Sequence, residues 1–528
     1  MLAHHNTEPL STPTDHELNK IQTLIKQGNA SQALETLKNF KNSPAVHLMR
    51  SRAFFQLNQY SDTAQELNNA SPPVGGHAIT TFIDEAVLQR RRPDILHVLS
   101  EAQKLTPRDP RLLDAQGLVL MHLGRFQEAE IALKKSLGIR PNNLETLNFL
   151  AMVLSEAGRF DEALSIMQYL RTASPEEWGP GCNMACILNN IGRLEEAANV
   201  YRETIPLAPH EPVLRLNHSI TMLKSGRMAQ GWTEHEWRFG VPGHTSLPKA
   251  TLLPNITPNL NLKGKRVLVT QEEGLGDTLM YLRYIPLLGR TGAIVHIWGT
   301  STLADLCQRM EGVSVVQHGG ETPEYDYHCP FISLPRVFSA TQTPMGVPVP
   351  YLIPSPDKVA QWKKILRPDR QLRVGLVWAG GARPEHTNAY MLDRQRSMPL
   401  ALLAPLAKLK GITFYSLQKD EPASQISDFP SPLIDYMPQC LDMDDTAALV
   451  SCLDIIVSVD TSMVHLAGGL GKPVIMMDRF NNCWRWQQGR EDSPWYPFMR
   501  IVRQTHFRDW SDVISQVKDL LQEAAAQH

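Results

Sequence analysis

Two short stretches carry residues whose types and spacing could do chemistry. The first is EEGLGD, Glu272 to Asp277, where Gly274 and Gly276 let the backbone approach a ligand closely and Asp277 sets a carboxylate at the loop mouth. That carboxylate can take a proton from a hydroxyl as general base, or it can cap a helix starting at Thr278. The second runs from Asp454 to Met477, DIIVSVDTSMVHLAGGLGKPVIMM. Its β-branched run from Ile455 to Val459 reads as a buried parallel strand, ended by Asp460 and Thr461. A helical segment from Ser462 to Leu470 comes next, stopped by Gly471 and Pro473. A strand feeding a helix N-terminus presents unpaired N–H groups and a positive dipole end, which suits a phosphate or diphosphate. A plain capped helix in an α/β sheet has the same pattern. His465, four residues after Thr461, shares its helix face and either meets a ligand or packs.

Further candidates lie between and beyond these stretches. Arg394, Arg396 and Ser397 fall in a polar loop past a strand end, where guanidinium groups bind diphosphate oxygens bidentately or simply stay solvated. Gln418 and Lys419 lie at the end of the strand ITFYSLQ, where contacts to a nucleotide base are expected. Asp442, Asp444 and Asp445 immediately precede the helix TAALVSCL, so they read as caps and dipole partners and not as metal ligands. The segment from Arg479 to Pro497 carries Trp484, Trp486, Trp495 and Tyr496 between charges, suited to stacking on a base or sugar, or to sealing two domains together. The glycine loop is neither a full G-x-G-x-x-G nor a P-loop, since it has no G-K-[ST], so a mononucleotide kinase or dehydrogenase is poorly supported.

The elements that must position these residues alternate strand and helix from Lys265 onward. Strands are expected at RVLVTQ, 293–298, 313–317, around 327–334, LRVGLVWAGG, ITFYSLQ, LIDYMP and the Asp454–Met477 stretch. Helices are expected at TLMYLRYIPLLGR, up to Leu366, at ALLAPLAKL, and from Ser511 to Ala524. Such alternation implies parallel α/β layers with ligands at the carboxyl ends of the strands.

The chain before residue 240 is different, because it repeats. Gly124, Gly158, Gly192 and Gly226, each followed by Arg, fall 34 residues apart, and so do Pro107, Pro141, Pro175 and Pro209. The small residues Gly117, Ala151, Ala185 and Ser219 keep the same period, as do Ala129, Ala163, Ala197 and Gly231. The unit Pro110–Asn143 is two amphipathic helices joined at Gly124-Arg125. It resembles the tetratricopeptide repeat, with about three divergent units upstream. Stacked helix pairs of this kind form a superhelix that receives peptide segments. GWTEHEWRF, Gly231 to Phe239, is expected to be a capping helix that docks the array onto the α/β half of the chain.

Bulk properties narrow the classes. The chain has 528 residues, 42% hydrophobic residues and a net charge of −2, which implies several globular domains and argues against a polybasic surface for nucleic acid or membrane. Seven cysteines with no C-x-x-C read as reduced thiols of a cytoplasmic protein. The N-terminus shows no signal peptide pattern, and about 18 consecutive apolar residues occur nowhere.

Taken together, GLGD before an apolar helix, VDTSMVHLAGGLGKPV and DSPWYP resemble bacterial tetratricopeptide-repeat glycosyltransferases. Their catalytic half is similar to heptosyltransferases of glycosyltransferase family 9 and more distantly to O-GlcNAc transferases. The resemblance implies an α-helical TPR superhelix followed by an α/β GT-B fold of two Rossmann-like domains. It divides the chain into a repeat array with capping helix (1–240), a linker (241–262), an acceptor-side domain (263–366) and a nucleotide-sugar-binding domain with a closing helix (367–528). It puts the catalytic aspartate on Asp277 and the diphosphate and sugar contacts on Asp460, Thr461 and Ser462, where heptosyltransferases usually have glycine at the last position. Their phosphate-binding lysine loop is matched in position by Arg394 and Arg396. The inner-helix asparagines that bind acceptor backbone in O-GlcNAc transferases are matched by Asn183 and Asn217, whereas Phe149 and Ala115 stand in the two preceding repeats. The implied activity is metal-independent, inverting transfer of a sugar from a nucleotide-sugar donor to a Ser or Thr hydroxyl of a protein acceptor recruited by the repeats. The alternatives are transfer to lipopolysaccharide or another glycan, and a non-catalytic repeat scaffold with a nucleotide-binding half.

Overall fold

The computed structural model describes residues 11–70, 77–244, 246–366 and 370–528. Residues 1–10, where a leader would stand, lie outside the described residues. The chain forms two compact units, one of Met1–Pro175 with Ala382–Met391, the other of Glu176–Gly381 with Leu392–His528.

The first unit is built of helix pairs: 15–26 with 30–37, 44–56 with 60–70, 77–88 with 92–105, 110–122 with 126–139, and 144–156 with 160–173. Each pair turns in the same way. At Gly124 the backbone takes φ +75°, and Arg125 N–H reaches back to the Leu120 carbonyl at 2.9 Å, the six-residue closure that ends a helix in the left-handed region. The upstream turns make the same bond, from Asn29 to Leu24, Gln59 to Phe54 and Arg91 to Ala86, each at 2.9 Å. Their left-handed residues are Gly28, Asn58 and Arg90, so only one of the three advertises itself as a glycine turn. The small periodic residues sit where the helices of a pair touch: a Cβ added at Gly117 would meet Leu133 Cγ at 2.6 Å. Segment Ala382–Met391 belongs to this unit through Arg92, whose guanidinium lies 4.8 Å from the Tyr390 ring and 3.0 Å from Thr387 Oγ1.

The second unit opens with two more helix pairs, Trp178–Asn190 with Leu194–Thr204 and Pro212–Lys224 with Met228–His235. These are not an appendage. Leu223 and Trp232 belong to the same buried cluster as Tyr281 and Trp484, and Trp232 meets both rings edge-on, at 5.9 and 5.0 Å. Buried Arg238 completes the docking expected of this segment, donating Nε and Nη2 to Glu272 at 3.0 and 2.9 Å and Nη2 to Ser333 at 2.7 Å. A guanidinium taken out of water has to find such partners.

Two wholly parallel sheets complete this unit. In the first, β1 (Arg266–Thr270), β2 (Ile294–Gly299), β3 (Val313–His318) and β4 (Tyr327–Pro330) lie in the order β3-β2-β1-β4. In the second, β5 (Leu372–Val377), β6 (Ile412–Ser416), β7 (Leu433–Asp435), β8 (Ile455–Val459), β9 (Val474–Asp478) and β10 (Met499–Arg503) lie in the order β10-β9-β8-β5-β6-β7. The second is the doubly wound order, with its reversal between β5 and β8. The helical array followed by two parallel α/β layers is the architecture read from the sequence.

Some local expectations change. The helix expected over 278–290 is broken into Leu275–Tyr281, a 3-10 turn Leu282–Tyr284, and Ile285–Arg290, because Pro286 has no N–H to continue the ladder. The polar loop after β5 contains a helix, Thr387–Arg396, and 400–408 is 3-10 around Pro405. No helix among the described residues is long and apolar enough to cross a membrane. All seven cysteines are unpaired.

Candidate functional site

In a doubly wound sheet the chain leaves the two strands at the reversal in opposite directions, opening a crevice beyond their carboxyl ends. Here that crevice is a cavity of about 200 Å³, lined by Ala379 to Gly381 after β5, by Thr461 to Met463 after β8, and by Leu275 and Lys419 among others. Thr461 is the N-cap of the helix Ser462–Gly469, its hydroxyl accepting from Met463 N–H at 3.3 Å. The helix thus aims its first turn at the cavity, and Ser462 lines it.

The turn after β5 is braced from both sides. Gln418 Oε1 accepts from the N–H groups of Trp378 and Ala379 at 3.1 and 3.0 Å, and its Nε2 donates to the Ala379 and Lys419 carbonyls at 3.0 and 3.1 Å. This buried amide is held by backbone groups and shapes the loop at the wall of the cavity. Lys419 Nζ donates to the Cys440 carbonyl at 2.8 Å, holding the next segment. Ser397 Oγ accepts from Gly380 N–H at 2.9 Å. A Cβ at Gly380 would sit 2.3 Å from Arg396 Nη2, so a larger residue there displaces this arginine. Arg394 and Arg396 prove to be on the helix Thr387–Arg396 and not in a loop, and two positions apart they face different ways. Arg394 is exposed. Arg396 turns inward, donating Nε to Asp393 and Nη1 to the Asp460 carbonyl, both at 3.1 Å, which ties it to the end of β8.

The glycine loop comes after β1 in the first sheet. Its helix begins one turn earlier than expected, at Leu275 with Gly274 as N-cap, so Asp277 is the third helical residue and does not cap a helix at Thr278. Its Oδ1 instead accepts a hydrogen bond and ion pair from Arg485 Nη2. The two helix starts touch: a Cβ on Gly276 would lie 3.4 Å from Ser462 Cα and 3.0 Å from His465 Cδ2. Gly276 thus brings the Asp277 turn against the Thr461–Ser462 turn. On the other side of this loop a wider hollow of about 680 Å³ opens at the ends of β1 and β2, lined by Gln271, Glu272, Trp298 and Thr300.

His465 is enclosed. Its Nδ1 is 2.9 Å from the Tyr496 hydroxyl, its ring stacks on Trp486 at 5.3 Å, and burial pushes its pKa down to about 4. The aromatic segment seals the interior, with Trp484, Trp486, Trp495 and Tyr496 all buried in the larger core cluster. Asp442 and Asp445 form a reciprocal cap: the Asp442 carboxylate accepts from Asp445 N–H at 2.7 Å, and Asp445 accepts from Asp442 N–H at 3.4 Å. Lys358 crosses all three acids of this run. Among the described residues no group of three or more His, Cys, Asp or Glu is arranged to hold a metal.

On the repeats, Asn183 and Asn217 occupy equivalent helices, both half-buried, with Asn217 Nδ2 donating to Cys182 Sγ at 3.5 Å. Arg485 escaped the sequence reading. Its one signal in the sequence is its place between Trp484 and Trp486.

Comparison with known proteins gives three findings. A tetratricopeptide repeat family model matches residues 120–177. Protein FlbA of Caulobacter vibrioides is 28% identical over 347 residues, covering 60% of this chain, and the match spans 56% of FlbA, a little over half its length. Among solved structures, the glycosyl transferase family 9 protein from Veillonella parvula DSM 2008 aligns with 51% of this chain and 99% of its own, at 9% identity and a TM-score of 0.39. The E. coli ADP-heptose lps heptosyltransferase II aligns with 49% of this chain and 99% of its own, at 13% identity and a TM-score of 0.34.

Proposed function

We propose that this chain is an inverting glycosyltransferase that moves a sugar from a nucleotide-diphosphate donor to a hydroxyl of a protein acceptor engaged by the repeat helices. The observation that carries the reading is the contact at Gly276, which sets a carboxylate-bearing helix start against the anion-friendly start of Ser462–Gly469. The loop of the base and the leaving-group site then adjoin, with Leu275 of the first and Thr461 and Ser462 of the second lining one crevice.

In this mechanism the donor diphosphate lies at the first turn of Ser462–Gly469, where the positive end of the helix and the hydroxyls of Thr461 and Ser462 offset its charge, and Arg396 steadies the Asp460 turn. The acceptor enters by the hollow beside Glu272 and Trp298. Its hydroxyl oxygen attacks the anomeric carbon, the proton passes to Asp277, and the sugar–phosphate bond breaks with its electron pair leaving on the diphosphate. Stacked helix pairs are a protein-binding architecture, which supports a protein acceptor, and the half-buried Asn183 and Asn217 are the expected backbone contacts.

The test is Asp277→Asn in the full chain, assayed against sugar nucleotides of each base. Turnover falls by about 10²–10⁴-fold, the range of general-base catalysis, while the thermal shift given by the matching nucleoside diphosphate persists. Wild-type turnover in this variant removes the assignment. Replacing Asn183 and Asn217 together with alanine raises the acceptor KM and leaves donor hydrolysis intact; an unchanged acceptor KM removes the asparagine contacts.

A further inference from the structure

We propose that Arg485 is the positioning residue for Asp277, and that the last two helix pairs of the repeat array hold Arg485 in place. This rests on the glycosyl-transfer reading and asks what fixes its base.

Arg485 is an expensive residue to keep where it is. Its side chain is only 16% exposed, and burial draws its pKa down to about 10. The guanidinium is clamped: its carbon lies 4.5 Å from the Trp484 ring, Nη1 meets Cys483 Sγ at 2.9 Å, and Trp495 Nε1 donates to its carbonyl at 3.0 Å. Its Nε is buried with no hydrogen-bond partner. What the placement achieves is the contact with Asp277 Oδ1. With Oδ1 held, Oδ2 is the oxygen left to receive a proton. It lies at the open side of Gly274, where even a Cβ would come within 3.6 Å of it.

Misplacing a general base by about 1 Å costs on the order of 100-fold in rate, which is the effect that holding Oδ1 prevents.

The loop that carries Arg485 is seated on the repeats. A Cβ at Gly192, the turn of one helix pair, would strike Gln488 Nε2 at 2.6 Å. One at Gly226, the turn of the next, would lie 3.5 Å from Gln487 Nε2. Trp484 adds its edge-on contact with Trp232. The two turns thus pack against the glutamines that follow the arginine, and at Gly192 the missing side chain leaves the room that Gln488 fills.

The experiment measures release of nucleoside phosphate from uridine, guanosine, adenosine and cytidine sugar nucleotides by the full chain. Arg485→Gln lowers kcat by about 100-fold with donor KM unchanged, and Arg485→Lys recovers part of the loss. In the Asp277→Asn background Arg485→Gln has no further effect, because the two act as one unit. Wild-type kcat in Arg485→Gln, or losses that multiply in the double variant, overturns the proposal alone. A wild type that releases nothing from any donor overturns it together with the transfer reading. If Arg485→Gln does not fold, Arg485→Lys decides: about tenfold lower kcat at unchanged KM supports the proposal, and a wild-type kcat sinks it.

Discussion

His465 stands neutral in the interior, and that gives the protein a definite acid response. Its ordinary pKa is about 6.5, and burial holds it down to about 4 in the folded chain. Between those values the unfolded chain binds a proton that the folded chain refuses, so stability falls as pH drops from about 6.5 to about 4 and levels off below. At about 1.4 kcal/mol per pK unit, this one ring accounts for a change on the order of 3 kcal/mol. His235, pushed to about 3, and His122, pushed to about 4, act in the same direction. Asp478, raised to about 6 by burial, acts oppositely, gaining its proton first in the folded chain, and is outweighed by the three rings. His465→Gln should therefore show a shallower decline of melting temperature from pH 7 to 4.5 than the wild type; an identical decline would show that His465 contributes nothing to it. Residue roles were legible where local chemistry suffices, as in the Thr461 cap and the Asp442–Asp445 cap. They were illegible where the answer depends on which neighbour arrives from elsewhere in the chain: Gln418 meets the backbone of a strand end 39 residues away, and Asp277 meets Arg485, 208 residues on.

At the scale of elements, the crossing of the helices Leu275–Tyr281 and Ser462–Gly469 depends on one absent side chain. Gly276→Ala places a methyl 3.0 Å from His465 Cδ2 and 3.4 Å from the Ser462 backbone, and the backbone cannot swing aside as a long side chain would. Overpacking of this kind costs about 1–3 kcal/mol. The variant should melt earlier and bind nucleoside diphosphate more weakly in calorimetric titration, while unchanged affinity would show that the crossing does not set the Thr461 turn. Strand periodicity revealed the buried strands, since β5, β8 and β9 are nearly all apolar. It missed β10, an edge strand whose Arg500 and Arg503 interrupt the apolar run, as edge strands tend to do. The helix Thr387–Arg396 was hidden by its polar composition, which reads as a loop until a partner is known.

At the scale of the molecule, the repeat pattern is continuous from Pro107 to Gly231, yet compact units change at Pro175. The sequence carries no mark there because the same 34-residue signals serve pairs that stack on each other and pairs that belong to the α/β core. Two fragments separate these roles. Residues 176–528 retain Leu223, Trp232 and the buried Lys224, whose Nζ donates to the Asn189 carbonyl at 2.8 Å. Residues 231–528 lack Leu223, Lys224 and both glycine turns, and losing one buried leucine alone costs about 2–5 kcal/mol. The longer fragment should show a cooperative melt and the shorter one a broad or much lower transition; equal melting would mean that the last repeats are dispensable to the core.

The shared turn geometry bears on how such a chain can change length in evolution. One whole period can be gained or lost ahead of the pair that carries Arg92 with each pair still closed by the same six-residue turn, so the number of helix pairs there is free to drift. After Glu176 the turns at Gly192 and Gly226 are spoken for by Gln488 and Gln487, and an inserted period would separate them. Related chains should vary in repeat number upstream and keep the final two pairs invariant in count, a ratchet that lets the reach of the array diversify while the interior behind it stays fixed.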